Sequence, residues 1–194
     1  MVAFALARLN FKGRDLIFAI LLATMMIPGE MMVITNYITV SRLNWTRADG
    51  LGSYYAMIFP FLVSIFHIYL LRQTFRQIPN ELYYAAKVDG CKDSKYLWKV
   101  MVPMAKSSII TIVILKLMGA WNAYIWPDIV ANEKFKLVTT WLRSSFTDQA
   151  AGGGRLLINY QMAATVIVTV PLLLMFIFFR KYIMSGVSRS GVKG

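Results

Sequence analysis

Residues 107–127 read SSIITIVILKLMGAWNAYIWP, a run whose one charge, Lys116, sits near its centre. At 1.5 Å of rise per residue, about 20 helical residues cross the roughly 30 Å hydrocarbon layer of a bilayer. A buried helix of a water-soluble protein is usually shorter and keeps a polar face. The run reads as a membrane span, and it has company. Leu16–Val40, Leu51–Leu71 and Tyr160–Phe179 are similar runs with few or no charges. Of the 194 residues 58% are hydrophobic and 15% charged, where soluble domains carry about a quarter charged residues. The patterns predict an all-α, polytopic helical membrane protein with four transmembrane helices in this chain.

Within the opening run, Lys116, Gly119, Asn122, Ala123 and Trp126 recur at helical spacing and share roughly one face. A lysine at mid-membrane costs about 2.5–3.5 kcal/mol on insertion scales, so this face is expected to turn away from lipid. Glu30 is an acidic candidate to meet it. Glu30, Lys116 and Asn122 are the candidates for a polar pathway, and all three would equally serve as structural polar contacts. In the first run Pro28-Gly29-Glu30 removes a backbone donor and loosens the helix, which predicts a break or kink. Pro60 and Pro171 lie inside the second and fourth runs, and His67, the sole histidine, lies near the end of the second. A lone histidine there reads as a hydrogen-bonded packing residue. The opening VAFALARLNF is apolar but too short to span, has no cleavage site after it, and resembles the tail of a helix.

The net charge of +12 has a direction. Lysine and arginine number three in residues 1–15, two in 41–50, seven in 72–106, four in 128–159 and four in 180–194. Alternate segments therefore hold fourteen against six. The positive-inside rule places both termini and the 72–106 loop in the cytoplasm. The basic residues report topology, and a nucleic-acid partner is not expected.

Catalytic and metal chemistry find little support. One histidine excludes a two-histidine zinc helix, and one cysteine, Cys91, excludes CxxC sites and internal disulfides. The tail's Gly186…Gly191-Val192-Lys193 misses the phosphate-binding GxxxxGK[ST] pattern, because its lysine is one place late and no Ser or Thr follows. No catalytic residue, metal site or cofactor is assigned. Broken helices, an inward charge and no catalytic set describe a conduit. A membrane-embedded enzyme is the rival class, and it would need a clustered catalytic set.

Between the second and third runs lies YAAKVDGCKDSKYLWKVMVP, residues 84–103. Asn80 is placed to cap a helix, with Glu81 at its positive end. Leu82, Ala85, Ala86 and Asp89 fall on one side, and Gly90 can take the left-handed backbone that ends a helix. Asp93 is placed to cap a second helix whose apolar face is Tyr96, Leu97, Val100 and Met101, with Pro103 following. Two short helices meeting at a glycine make a polar cytoplasmic hairpin suited to docking, with small Ala85 and Ala86 permitting close approach. An ordinary surface loop is the plain alternative.

This hairpin resembles the EAA loop of binding-protein-dependent ABC importer permeases, whose pattern is EAA, three residues, Gly, nine residues, Ile, one residue, Leu-Pro. Here Tyr84-Ala85-Ala86 leads through three residues to Gly90, and nine more lead to Val100, Met101, Val102 and Pro103. The spacing matches throughout. Tyr84 replaces the motif glutamate, with Glu81 one turn earlier, and valines replace the Ile and the Leu. MMIPGEMM, LLRQTFRQIPNEL, AAKVDG, GAWNAYIWP and SGVKG extend the similarity along the whole chain, toward carbohydrate-uptake permeases of the maltose-type G kind. The resemblance implies one permease domain over residues 1–194, with 72–106 as its cytoplasmic coupling loop. It implies six spans in the full family fold, so that the first span and most of the second are missing here and the chain is expected to be a truncated product or fragment.

The resemblance further implies a bacterial plasma-membrane subunit that is not itself an enzyme. Its partners would be an F-type permease, two cytoplasmic ATPase subunits, an extracellular solute-binding protein and a sugar. Glu81, Tyr84, Ala85, Ala86, Asp89, Gly90 and Pro103 become the candidate ATPase-docking residues. A permease for another solute, such as glycerol-3-phosphate, and a non-transporting fragment are the alternatives.

Overall fold

A computed structural model of the protein describes residues 1–46, 51–147 and 158–188, with the side chains of 143–147, 158 and 183–188 left aside. In chain order the helices are α1 (Val2–Arg8), α2 (Arg14–Thr24), α3 (Val33–Arg42), α4 (Leu51–Ile58), α5 (Ile65–Gln77), α6 (Asn80–Val88), α7 (Asp93–Tyr96), α8 (Val102–Met104), α9 (Lys106–Trp121), α10 (Ile125–Val130), α11 (Val138–Thr147) and α12 (Ile158–Ser188). Short 3₁₀ turns occupy Gly29–Met32, Phe59–Phe61 and Glu133–Phe135, and a π-helical turn occupies Leu97–Met101. All regular structure among the described residues is helical, as the sequence predicts. The glycine triplet 152–154 and the tail's Gly191-Val192-Lys193 lie outside the described residues.

The spans are more broken than their composition suggests. Asn159–Tyr182 of α12 is long and apolar enough to cross a membrane unbroken, despite Pro171. Three further stretches qualify only as broken pairs: Arg14–Thr24 with Gly29–Arg42, Leu51–Phe61 with Ile65–Gln77, and Asp93–Met104 with Lys106–Trp121. The break at Pro28 is the one expected. A second falls at Leu62–Ser64, directly after Pro60. The third expected span stops early, because α9 ends at Trp121 and Pro127 already belongs to α10. Asn122 and Trp126 therefore leave the face that Lys116 and Gly119 begin, which corrects the single five-residue face read from spacing.

The described residues group into two compact units. One comprises Met1–Ile27, Ser64–Leu115 and the chain from Phe179; the other comprises Pro28–Val63 and Lys116–Phe178. The first unit is built where α1 lies against α5. Its core is Ala3, Phe4, Phe75, Ile78, Tyr96, Leu97, Met101 and Ala105, so the hairpin's second arm is buried against the ends of α1 and α5. Two arginines close this core. Arg8 donates to the carbonyls of Phe75 (2.8 Å) and Ile78, and to the side-chain oxygen of Asn80. Arg72 donates 3.1 Å to the carbonyl of Leu6, which the end of α1 leaves open, and its guanidinium lies 3.7 Å from the centre of the Phe18 ring.

The second unit gathers around Val40, Ala56, Trp126 and Val130, where α10 meets α4. Trp126 lies edge-on to Phe61, with ring centres 5.6 Å apart. A side-chain donor explains how the second unit tolerates Pro60. Proline has no N–H, so the carbonyl four residues before it loses its helical donor. Pro60 strips Ala56, and the Trp126 indole N–H supplies the bond at 3.0 Å. At the end of α5, Phe75 O accepts from the Ile78 N–H at 3.3 Å and also from Arg8. Ahead of α10, the Thr139 hydroxyl donates to Ala123 O at 2.8 Å. Side chains from elsewhere in the sequence thus serve carbonyls at helix ends.

Candidate functional site

The hairpin is built from its turn outward. Gly90 has φ +68°, a left-handed backbone that L side chains rarely adopt. Its N–H donates to Lys87 O at 3.0 Å, and the N–H of Cys91 donates to Ala86 O at 2.8 Å. This double closure is the Schellman arrangement, in which a left-handed residue lets the next two amides cap the helix's last carbonyls. Gly90 thus ends α6 as its sequence position predicts.

The predicted caps are corrected. The residue preceding the first turn of α6 is Pro79, and Asn80 stands inside the helix, its side-chain oxygen taken by Arg8. Asp93 is likewise the first residue of α7, with Lys92 before it. Its carboxylate accepts a 2.8 Å hydrogen bond from the Tyr83 hydroxyl and lies 2.8 Å from Lys87 Nζ. Both side chains suit capping chemically, but a guanidinium and an ammonium–phenol pair offer stronger donors than a lone amide N–H. Asp93 therefore locks the two arms together instead of starting the second. Tyr83 and Lys87 escaped the sequence reading, since nothing local pairs them with a residue across the turn.

The second arm behaves as its apolar face predicts. Tyr96, Leu97 and Met101 are buried and Val100 half-buried. Tyr96 also stacks edge-on to Tyr83, with centres 5.1 Å apart. The π-helical turn at Leu97–Met101 lies just before Pro103, where the missing N–H and the ring disturb the regular ladder. At Ala105 the chain turns, and Asp93–Met104 and Lys106–Trp121 meet at 79°.

With the second arm held inward, the first arm faces outward. Glu81, Tyr84, Ala85, Asp89, Gly90 and Pro103 are exposed. Ala86 is half-buried against the hairpin's own core, so the two small alanines are not equivalent. Leu82, Tyr84 and Val88 add exposed apolar surface, Val88 being 88% exposed. Cys91 is a free, half-buried thiol.

The lock also sets a pH window. Hydrogen bonds from Lys87 and then Tyr83 hold the Asp93 carboxyl below its usual range, and the bond to Asp93 raises the Lys87 ammonium above its own. Burial, followed by donation to Asp93, raises the Tyr83 phenol. A lowered carboxylate contributes stability above its unfolded value, about 3.9, and loses it as pH falls through the folded value. The raised ammonium contributes below its unfolded value, about 10.4, and loses it as pH rises through the folded one. The lock is therefore whole between about pH 4 and pH 10. Both side chains are solvated, so solvent screening keeps the pair's contribution small. The difference in melting temperature between wild type and Asp93→Asn is expected to shrink as pH falls below about 4; a constant difference would remove the ionic part of the lock.

The pathway candidates do not form one cluster. Lys116 donates 3.1 Å to the carbonyl of Phe61, just ahead of the unwound Leu62–Ser64 segment. Glu30 lies exposed in the turn after Pro28, and no ion pair joins it to Lys116 among the described residues. Asn122 donates 2.8 Å to Met118 O and lines a cavity with Trp121, Thr139, Gln161, Thr165 and Thr169. The sequence reading missed these neighbours on α11 and α12. A signal for three of them was present, because Gln161, Thr165 and Thr169 stand at i, i+4 and i+8 within an otherwise apolar span. His67 is half-buried, its ring edge-on to Phe66 with centres 5.5 Å apart.

Known proteins fit this arrangement. The arabinooligosaccharides transport system permease protein AraQ of Bacillus subtilis (strain 168) is 32% identical over 196 residues, which cover 100% of this chain and 66% of AraQ. The sn-glycerol-3-phosphate transport system permease protein UgpE of Pectobacterium atrosepticum is 26% identical over 185 residues, covering 95% of this chain and 63% of UgpE. This chain thus spans less than two thirds of either relative. A bacterial ABC transporter involved in the import of the acidic polysaccharide alginate has a chain that superposes with a TM-score of 0.77 at 25% identity, over 93% of this chain and 65% of that one. The model of the family described as binding-protein-dependent transport system inner membrane component matches residues 1–189. With its fold and nearly its whole length in agreement, the chain belongs to that family of inner-membrane transport permeases.

Proposed function

We propose that this chain is the transmembrane permease subunit of an ATP-powered, binding-protein-dependent sugar importer. It forms half of the translocation pathway, with an F-type permease as the other half. Two cytoplasmic ATPase subunits drive the complex, and an extracellular solute-binding protein delivers the sugar. Both termini and the 72–106 loop face the cytoplasm, in keeping with the distribution of lysine and arginine.

The hairpin carries this reading. Its second arm is buried, its two arms are locked at Asp93, and its first arm leaves Glu81, Tyr84, Ala85, Val88 and Asp89 outward. An exposed apolar and polar surface on a rigid support suits a protein partner. ATP binding draws the ATPases together, the hairpin turns with the subunit docked on it, and the spans exchange inward-open for outward-open states. The exchange requires that nucleotide and solute bind the two states unequally. Ala86 contributes from the inner side of the same arm, and Gly90 and Pro103 fix the ends of the docking element. Glu30, Lys116 and Asn122 supply polar groups to the pathway.

Co-purification from membranes of this chain with its ATPase tests the docking step. Retention of the ATPase is expected; a chain that inserts but retains none would overturn the assignment and favour a non-transporting fragment. The relation to UgpE and the cation at Lys116 support a second solute, glycerol-3-phosphate. Competition for uptake between a neutral sugar and glycerol-3-phosphate separates the two.

A further inference from the structure

The open cavity beside Asn122 has a volume of about 300 Å³, at the lower end of the roughly 300–1,000 Å³ typical of small-molecule sites. We propose that it is a contact site for a neutral, hydroxyl-rich solute, a sugar unit, on the translocation pathway. This rests on the reading of the chain as a sugar permease and deepens it by naming residues and excluding one class of solute.

The chemistry of the lining carries the proposal. Trp121, Asn122, Thr139, Gln161, Thr165 and Thr169 meet there with three aliphatic side chains, and no charged residue lines the cavity among the described residues. A phosphate would find no cation in this lining, whereas a hydroxyl needs both a donor and an acceptor. Both are on offer. The Gln161 side chain makes no hydrogen bond among the described residues, so its oxygen and both N–H groups are open. Asn122 gives one N–H to Met118 O at 2.8 Å and keeps its oxygen and second N–H. Thr165 and Thr169 each donate 2.8 Å to the carbonyl one turn before them, which leaves their oxygen lone pairs as acceptors. Trp121 adds an aromatic wall, tethered by its indole N–H to Val168 O at 3.3 Å. Such a ring gives the apolar edge of a sugar a surface to lie on.

Position within the molecule supports the same conclusion. Asn159–Tyr182 is the unbroken apolar span, and Gln161, Thr165 and Thr169 form a polar stripe along it. Polar residues in a span face a bundle interior or an aqueous cavity. Thr165 and Thr169 could be explained as helix residues bonding back to their own backbone. Gln161 has no such bond and is half-buried, so its amide is available to an occupant.

The test uses this chain assembled with its partner permease and ATPases, with arabinotriose and maltotriose as neutral probes and sn-glycerol-3-phosphate as the anionic one. Gln161→Ala and Trp121→Ala are each expected to lower import of a neutral trisaccharide about tenfold, the loss of one or two solute contacts. Gln161→Asn and Trp121→Phe are expected to recover most of it, and retention of the ATPase by every variant controls for folding. Wild-type import of a trisaccharide with no change in either alanine variant would overturn the cavity while leaving the sugar-permease reading in place. Import of sn-glycerol-3-phosphate and of neither trisaccharide would overturn both.

Discussion

Gly90→Pro is expected to abolish solute uptake and release the ATPase, while Gly90→Ala retains most of both. The contrast follows from two separable properties of the position. At φ +68° the backbone is one that proline cannot reach, since its ring fixes φ near −65°. Proline also removes the N–H that donates to Lys87 O at 3.0 Å. The turn must reopen, Cys91 loses its alignment with Ala86 O, and Asp93 is carried away from Tyr83 and Lys87. At about 3 kcal/mol or more, the cost is enough to unmake a short two-arm element. Alanine keeps the N–H, and its Cβ would meet no atom within 4 Å. Only the left-handed strain remains, about 1–2 kcal/mol. Membrane insertion should be equal in the two variants because the spans are untouched. Uptake by Gly90→Pro at the wild-type rate would show that coupling does not pass through this turn.

Arg8→Ala should be the most destabilising single substitution in the first unit. Arg8 is only 8% exposed and serves three acceptors: the carbonyls of Phe75 and Ile78 and the side chain of Asn80. Phe75 O keeps a 3.3 Å bond from the Ile78 N–H, so the loss falls on the carbonyl of Ile78 and the side chain of Asn80. A buried carbonyl left unpaired costs about 1–3 kcal/mol, and the expected total is about 2–3 kcal/mol, or roughly 5–10 °C in melting temperature. Arg8→Lys should recover only part of this, because a single ammonium lacks the planar fork that reaches several acceptors at once. Hydrogen exchange over 75–80 locates the damage: the amides at the end of α5 and the start of α6 should lose protection first. A loss below about 1 kcal/mol would mean that water takes the place of the guanidinium.

The helices themselves were legible in the sequence wherever a single local rule governs. Apolar length identified the spans, Pro28-Gly29 marked one break, Gly90 marked the end of α6, and the Tyr96–Met101 face was buried as its spacing requires. What was not legible depends on partners far away along the chain. Asn80 has the chemistry of a cap, but its partner is Arg8, 72 residues away. Asp93 has the same chemistry, and a lysine and a tyrosine across the turn outbid the local amide. The break after Pro60 was hidden because proline in a span can be carried within a continuous helix, as Pro171 is in α12, or can accompany an interruption. At the pathway, Asn122 was singled out from spacing on a helix that in fact ends one residue earlier, at Trp121. The α12 stripe was visible at i, i+4 and i+8, but threonine within an apolar run reads as span, and nothing local separates a hydroxyl facing lipid from one facing a cavity.

Carbonyls completed by side chains far along the sequence bear on how the chain is made. The bond that satisfies Ala56 comes from Trp126, 70 residues later, and the one that satisfies Leu6 comes from Arg72, 66 residues later. During synthesis these acceptors leave the ribosome well before their donors exist. In hydrocarbon an unsatisfied backbone group costs several kcal/mol, so the helical stretch 51–61 is expected to settle in lipid poorly on its own. It is expected to wait at the translocon, against water or an insertase, until the later segment emerges. Pausing translation between residues 61 and 126 should therefore leave a nascent chain that slips from the bilayer, whereas release beyond residue 130 should let it integrate.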